Sequence, residues 1–184
     1  MKDSSIEFAR PAEDVAVIKV IGRGSFQNSM DVQNLADKLK KQNPDTRFII
    51  DLEGCKTMDS TFMGTLAGIS VEQNKAGEGY LTVVNPNEHT HKLLHNLGLS
   101  YILDMVEDED SLPVKEAHFE KTGAGKKSIN KFNQIVHMIQ AHKQLIDADS
   151  QNEVRFQSVI KYLTDSLERE KEKRKQGGDK SEEE

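Results

Sequence analysis

The sequence lacks the long apolar run that would carry it across a membrane. No stretch approaches the roughly 18 consecutive apolar residues of a membrane-spanning helix, so we expect no membrane insertion. Residues 1–8 have neither the basic start nor the apolar centre of a secretory signal. The single cysteine, Cys55, cannot form an internal disulfide, and no nearby motif supplies the base of a cysteine nucleophile. These absences together predict a cytoplasmic protein.

Positive charge is scarce in the first part of the chain. Residues 1–116 contain 12 Lys and Arg against 19 Asp and Glu, a net charge of −7. Residues 117–184 contain 13 against 12, a net charge of +1. Because contacts to a phosphate backbone depend on cationic side chains, we expect no nucleic-acid partner. The contrast in charge also predicts two different kinds of structural unit.

Short strands and helices alternate through the first part. Apolar, β-branched runs predict strands, turn residues separate them, and helical spacing predicts three helices. Such alternation is typical of an α/β fold with a mostly parallel sheet of four or five strands, and we expect this domain to span residues 1–112. The predicted strands lie at 6–10, 14–21, 47–52, 80–84 and 102–106, the loops at 22–25 and 53–57, and the helices at 30–42, 60–75 and around 93–97. Gly64, Ala67 and Gly68 would let the second helix lie close to the sheet, and Gly98 would end the third in a left-handed cap.

The remainder of the chain predicts a helical extension. We expect a linker at 113–127, two helices within 128–175 with a break near 147–152, and a disordered tail at 176–184. Ser150 and Glu153 form a capping-box pattern at that break. Helices with one narrow apolar stripe are marginal alone, so they must pack on each other, on the first domain or on another chain. The predicted stripes are Ile129, Phe132, Val136, Ile139, Lys143 and Ile146 in the first helix, and Phe156, Ile160, Leu163 and Leu167 in the second.

The segment 57–64, Thr-Met-Asp-Ser-Thr-Phe-Met-Gly, lies where a buried strand leads into a helix. Asp59 or Ser60 can cap that helix, and helix N-termini accept anions readily. A phosphate on Ser60 would therefore be tolerated by the fold, while adding about 1.5 to 2 negative charges to a surface. A plain N-cap serine is the alternative interpretation, because such serines are common.

This segment resembles the signature of the STAS family, the bacterial anti-sigma factor antagonists. The matching residues are Asp51, Leu52, Met58, Asp59, Ser60, Thr61 and Gly64, and the later Leu-His-Asn-Leu-Gly-Leu segment resembles the family's ending. The resemblance implies that Ser60 is the phosphoacceptor, with Thr61 as a secondary candidate. It also implies that unphosphorylated protein binds a serine kinase that doubles as an anti-sigma factor, and that a metal-dependent serine phosphatase resets the switch.

The resemblance places the partner-binding surface at Thr57, Met58, Asp59, Phe62 and Met63. Phe62 and Met63 stand where the family has glycine and leucine. A bulky Phe62 would narrow kinase access or extend an apolar contact patch. The implied function is a transcription regulator that works by partner switching, in other words a phosphoprotein that acts through protein–protein interaction and not through catalysis.

Other functions have weaker support in the sequence. The alternative to a switch is a scaffold that is never phosphorylated and assembles a signalling complex, or self-associates, through its helical tail. No acid–base pair or nucleophile with a base can be assembled, so we expect no enzyme. His89, His91 and His95 lack the further ligands of a zinc site, and the Gly-x-Gly at 22–24 lacks the rest of a dinucleotide motif, so we expect no metal or cofactor. His137 and His142 read as ordinary polar positions.

Overall fold

The computed structural model describes residues 4–106, 118–122 and 130–178. Within these ranges no helix is both long enough and apolar enough to cross a bilayer. Of the predicted disordered tail at 176–184, residues 179–184 lie outside the described residues, as does most of the predicted linker, whereas 176–178 belong to the last helix, which corrects that part of the prediction. The strands are β1 (Ser5–Ala12), β2 (Val15–Gly24), β3 (Arg47–Asp51), β4 (Cys55–Met58), β5 (Leu81–Val84), β6 (Leu103–Val106) and β7 (Glu120–Lys121). The helices are α1 (Phe26–Gln42), α2 (Ser60–Lys75), α3 (Glu88–Asn96), α4 (Lys131–Ala148) and α5 (Asn152–Gly178), with a 3-10 turn at Leu99–Tyr101.

The strands form one mostly parallel sheet, as predicted. Its order is β6-β5-β3-β2-β1-β7, with β4 alongside the end of β2. The β1 strand is antiparallel to both of its neighbours, whereas β2, β3, β5 and β6 run parallel. The short strands β4 and β7 were not predicted: β4 lies in the predicted loop 53–57, and β7 lies in the predicted linker. Both are too short to show an apolar pattern, and they exist because neighbouring strands offer free backbone groups.

The main core lies between the sheet and the helices. Ala16, Ile18 and Val20 alternate along β2 with their side chains in this core, as the two-residue period of a strand requires. The opposite face of the sheet carries a smaller cluster built around Val17 and Ile49, against which Phe119 packs. The sheet is therefore covered on both faces, which is why its strands are apolar at successive positions.

Helix α2 is buried on nearly all sides. Every residue from Thr61 to Ser70 is buried, including the polar ones. A helix that lies only on a sheet buries one stripe, so α2 must have a second cover on the face away from the sheet. That cover is α4, which packs along α2, and α5 in turn packs on α4. The C-terminal helices are present, and they lie against the first domain.

The predicted apolar stripe of α4 is wrong. The buried residues are Ile135, Ala141, His142 and Leu145, while Val136 is 39% exposed. The buried face is displaced by about one residue, which corresponds to roughly 100° around a helix. Hydrophobicity alone cannot find this face, because two of its members are a small residue and a histidine. On α5 the predicted stripe is the inward side: Leu163 is buried, and Phe156, Ile160 and Leu167 are half-buried.

Helix α1 begins four residues earlier than predicted. Ser25 and Asn28 form a capping box, in which the Ser25 backbone N–H donates to Asn28 Oδ1 at 2.8 Å. The β2 strand continues through Gly24, so residues 22–24 of the predicted loop 22–25 are strand. Gly98 has the predicted left-handed conformation, with φ of 71°.

Candidate functional site

Ser60 is the first residue of α2, and Asp59 is the residue that caps it. Asp59 Oδ1 accepts a hydrogen bond from the Phe62 backbone N–H at 3.0 Å, which satisfies a free donor of the first turn. Its other oxygen, Oδ2, accepts from the Phe26 backbone N–H at 2.9 Å. One carboxylate therefore caps α2 and also holds the start of α1 beside it. The Ser60 hydroxyl has no capping role.

The Ser60 hydroxyl instead pairs with a histidine of α4. Ser60 Oγ lies 2.9 Å from His142 Nε2, and His142 Nδ1 lies 2.7 Å from the Met138 carbonyl oxygen. A carbonyl only accepts, so Nδ1 carries the proton, and in the neutral ring Nε2 accepts from the Ser60 O–H. His142 is 3% exposed and packs edge-on against the Phe156 ring. The structure thus brings together a hydroxyl and an imidazole that the sequence analysis did not pair.

A second histidine of α4 makes a similar contact. His137 Nε2 lies 2.9 Å from Ser29 Oγ and 3.2 Å from Thr65 Oγ1. Since the Thr65 hydroxyl donates to the Thr61 carbonyl, it accepts from His137, whose Nε2 is therefore the protonated nitrogen. Burial lowers the pKa of His137, and the nearby Asp37 carboxylate partly opposes that shift. The prediction that His137 and His142 are ordinary polar positions is wrong.

Small residues of α2 allow α4 to approach closely. A Cβ atom added at Gly64 would lie 2.1 Å from the Ala141 carbonyl oxygen, a distance that atoms cannot adopt. A Cβ at Gly68 would lie 3.4 Å from Gln144 Cγ, which is an ordinary contact. Gly64 and Gly68 therefore face α4, and the prediction that they bring α2 close to the sheet is wrong for both. Ala67 is part of the main core.

Three of the predicted partner-binding side chains lie inside the core. Phe62 is fully buried, and Met63 and Met58 are 4% and 5% exposed. The Phe62 ring packs on Gly24, where an added Cβ would lie 2.7 Å from it. Phe62 can therefore neither extend an apolar surface patch nor contact a partner directly in this conformation, so the placement of these three residues at a binding surface is corrected.

The other predicted residues surround Ser60. Thr57 is half-buried, with Oγ1 3.1 Å from His89 Nε2, and Asp59 is half-buried beside it. Thr61, the secondary acceptor candidate, is only 3% exposed. The polar residues that remain at the surface of this corner are Thr57, Asp59 and Ser60.

No metal or nucleophile site emerges elsewhere in the described part of the chain. Within it, no three His, Cys, Asp or Glu side chains cluster as metal ligands would. Cys55 is 1% exposed, and burial raises the pKa of its thiol, which agrees with a structural role. A cavity of about 320 Å³ lies between α1, α2 and α4, lined by polar residues that include Gln33, Glu72 and His137.

Comparison with known proteins addresses the first domain. The chain is similar in structure to the unphosphorylated form of the anti-sigma factor antagonist SpoIIAA, with a TM-score of 0.51 and 20% identity over 57% of this chain and 90% of that one. It is also similar to a putative anti-sigma factor antagonist from Thermotoga maritima, with a TM-score of 0.49 and 17% identity over 54% of this chain and 85% of that one. The phosphorylated form of SpoIIAA from Bacillus gives a TM-score of 0.48 and 19% identity over 57% of this chain and 94% of that one.

At 20% identity, the likeness to unphosphorylated SpoIIAA supports the fold alone. No curated protein matches the chain. The STAS domain family model matches residues 9–112, more than half of the sequence, and α4 and α5 lie outside that match. The chain belongs to the STAS domain family.

Proposed function

We propose that this protein is a partner-switching regulator of the anti-sigma factor antagonist type, whose state is set by phosphorylation of Ser60. Membership of the STAS family supports the class of function. The observation that carries the proposal is that Asp59, and not Ser60, caps helix α2. Because Asp59 caps the helix, a capping role does not account for the serine at position 60, whose hydroxyl pairs with His142 instead.

The position of Ser60 suits a reversible phosphate. The positive end of the α2 dipole favours an anion on the first residue of the helix, so the modification should not unfold the domain. The phosphate would still add about 1.5 to 2 negative charges at a corner that already carries Asp59. A partner surface that matches the neutral hydroxyl would be repelled by that charge. We expect the partner to be a serine kinase that acts as an anti-sigma factor, and a metal-dependent serine phosphatase to reverse the modification.

Capture of binding partners from a lysate tests this function. Wild type, Ser60→Ala and Ser60→Asp would each be used as bait in native lysate, and the bound proteins would be identified by mass spectrometry. A kinase of the anti-sigma type should bind wild type and Ser60→Ala, and Ser60→Asp should lose it. Retention of the same kinase by all three baits would refute control at Ser60.

A second function is favoured by the outer surface of α5. Val154 is 78% exposed and Tyr162 is 67% exposed, although both are large apolar residues. Such residues, two turns apart on one helix, suit the alternative proposal of a scaffold that self-associates or binds partners through its tail. Light scattering of wild type and Tyr162→Glu tests the first possibility. A lower mass for the variant would support self-association, and monomers in both samples would refute it.

A further inference from the structure

Helix α4 lies over the face of α2 that carries Ser60. Gly64 is one turn after Ser60 on α2, and Ala141 precedes His142 on α4. The backbone contact at Gly64 and Ala141 and the hydrogen bond between Ser60 and His142 are therefore adjacent parts of one interface. Any protein that reaches Ser60 along this face meets α4 first.

The interface leaves no room for a phosphate. Ser60 Oγ already lies at hydrogen-bond distance from His142 Nε2. A phosphoryl group would place a phosphorus atom and three oxygens where the imidazole stands, and His142 is 3% exposed, so it has little space into which to turn. Close-packed interiors do not absorb such a volume without moving an element. Transfer of phosphate to Ser60 in its present orientation therefore requires that α4 move away.

The attachment of α4 and α5 to the first domain combines apolar contacts, in which Leu145 enters the main core, with several polar ones that can be exchanged for water on release. Besides the two histidine contacts, Asn152 at the start of α5 donates from Nδ2 to the Leu97 carbonyl of the first domain at 3.0 Å and to the Leu145 carbonyl of α4 at 2.7 Å. Arg155 donates to the Asn96 carbonyl at 2.6 Å. Such bonds exchange readily for bonds to water, so each contributes little net free energy to the closed state.

We propose that α4 is an intramolecular occupant of the partner-binding face around Ser60, and that the domain must release α4 before a partner or a kinase can engage. The role of Ser60 itself rests on the function proposed above. A partner whose backbone approaches Gly64 as closely as that of α4 needs a small residue there, since the backbones of α2 and α4 touch at this point. Closure and partner binding exclude each other, so release of α4 raises the affinity for the partner.

Two glycine substitutions on α2 separate closure from folding. Gly64→Ala introduces a Cβ that collides with the Ala141 carbonyl, whereas Gly68→Ala introduces one at ordinary contact distance from a flexible side chain. Both changes improve the helix propensity of α2 equally, so Gly68→Ala is the matched control. Circular dichroism of both full-length variants would verify that the domain is folded.

The accessibility of position 60 gives the readout. Each full-length chain would carry Ser60→Cys in a Cys55→Ala background, and the rate of reaction with a maleimide would be measured. We expect Gly64→Ala to raise that rate by about tenfold or more, and Gly68→Ala to leave it within about twofold of the parent. Hydrogen exchange of the α4 amides, measured in chains that keep Ser60, should show the same order.

Equal labelling rates in the parent, Gly64→Ala and Gly68→Ala chains, with unchanged exchange in α4, would overturn the proposal. The labelling experiment needs no kinase, so it stands apart from the function proposed for Ser60. Proteins captured from lysate by Gly64→Ala are then compared with those captured by the double variant Gly64→Ala and Ser60→Asp. This comparison tests the proposed function separately. If Gly64→Ala is labelled fast but captures no kinase whose binding depends on Ser60, the proposal of closure by α4 stands and partner switching is refuted.

Discussion

The bond between Ser60 and His142 should be measurable as a coupling free energy. Ser60→Ala leaves the Nε2 of a histidine that is 3% exposed without a partner. The cost of such an unpaired buried group is about 1–2 kcal/mol. His142→Ala removes the same bond, removes an edge-on contact with Phe156 at 5.1 Å and leaves a cavity, so we expect about 2–4 kcal/mol. The double variant should lose about 0.5–1.5 kcal/mol less than the sum of the two.

Urea unfolding of the full chain, followed by circular dichroism near neutral pH, would give the four free energies of this cycle. The control cycle combines Ser60→Ala with His89→Ala, since His89 contacts Thr57 and not Ser60. The control pair should be additive within about 0.3–0.5 kcal/mol. A coupling for Ser60 and His142 no larger than that of the control would refute the assigned bond.

Two further predictions concern the same corner of the molecule. Asp59→Ala should cost about 2–4 kcal/mol of unfolding free energy, because both carboxylate oxygens accept from backbone donors, and urea unfolding against Asp59→Asn, which keeps one acceptor, would measure it. The lowered pKa of His137 means that the unfolded chain binds a proton more readily than the folded one, so stability should fall as the pH drops below the ordinary histidine value of about 6.5. His137→Gln should lose less stability than wild type between about pH 7.5 and pH 5.5, although Asp37 reduces the difference; equal losses would contradict the assignment.

Much of the first domain could be predicted because its signals are local. The alternation of apolar runs and turn residues predicts the sheet, and it does so without knowledge of distant contacts. The bounds of α2 were predicted correctly because its N-cap, Asp59, precedes it directly and Gly77 follows its end. The left-handed Gly98 is a similar case, since only the backbone at that residue decides it.

The face of α4 that is buried could not be predicted in this way. Hydrophobic spacing favours Val136 and Ile139, whereas the structure buries Ala141 and His142. A small residue fits at position 141 because the α2 backbone lies close to it at Gly64. A histidine can be buried at position 142 because the Ser60 hydroxyl forms a hydrogen bond with it. Both reasons depend on a partner element that the local sequence does not contain.

The sequence by itself therefore determined the α/β architecture, the helix that begins at Ser60 and the family to which the domain belongs. The tertiary structure alone decided which neighbours Ser60 has. His142 is 82 residues away along the chain, and no spacing or motif links the two. It also decided that Phe62 and Met63 are core residues, because the main core takes in their side chains and the Phe62 ring packs on Gly24. Contacts of this kind arise from the packing of whole helices. Packing depends on the shapes and hydrogen-bonding groups that distant segments bring together, and these become visible only in the folded chain.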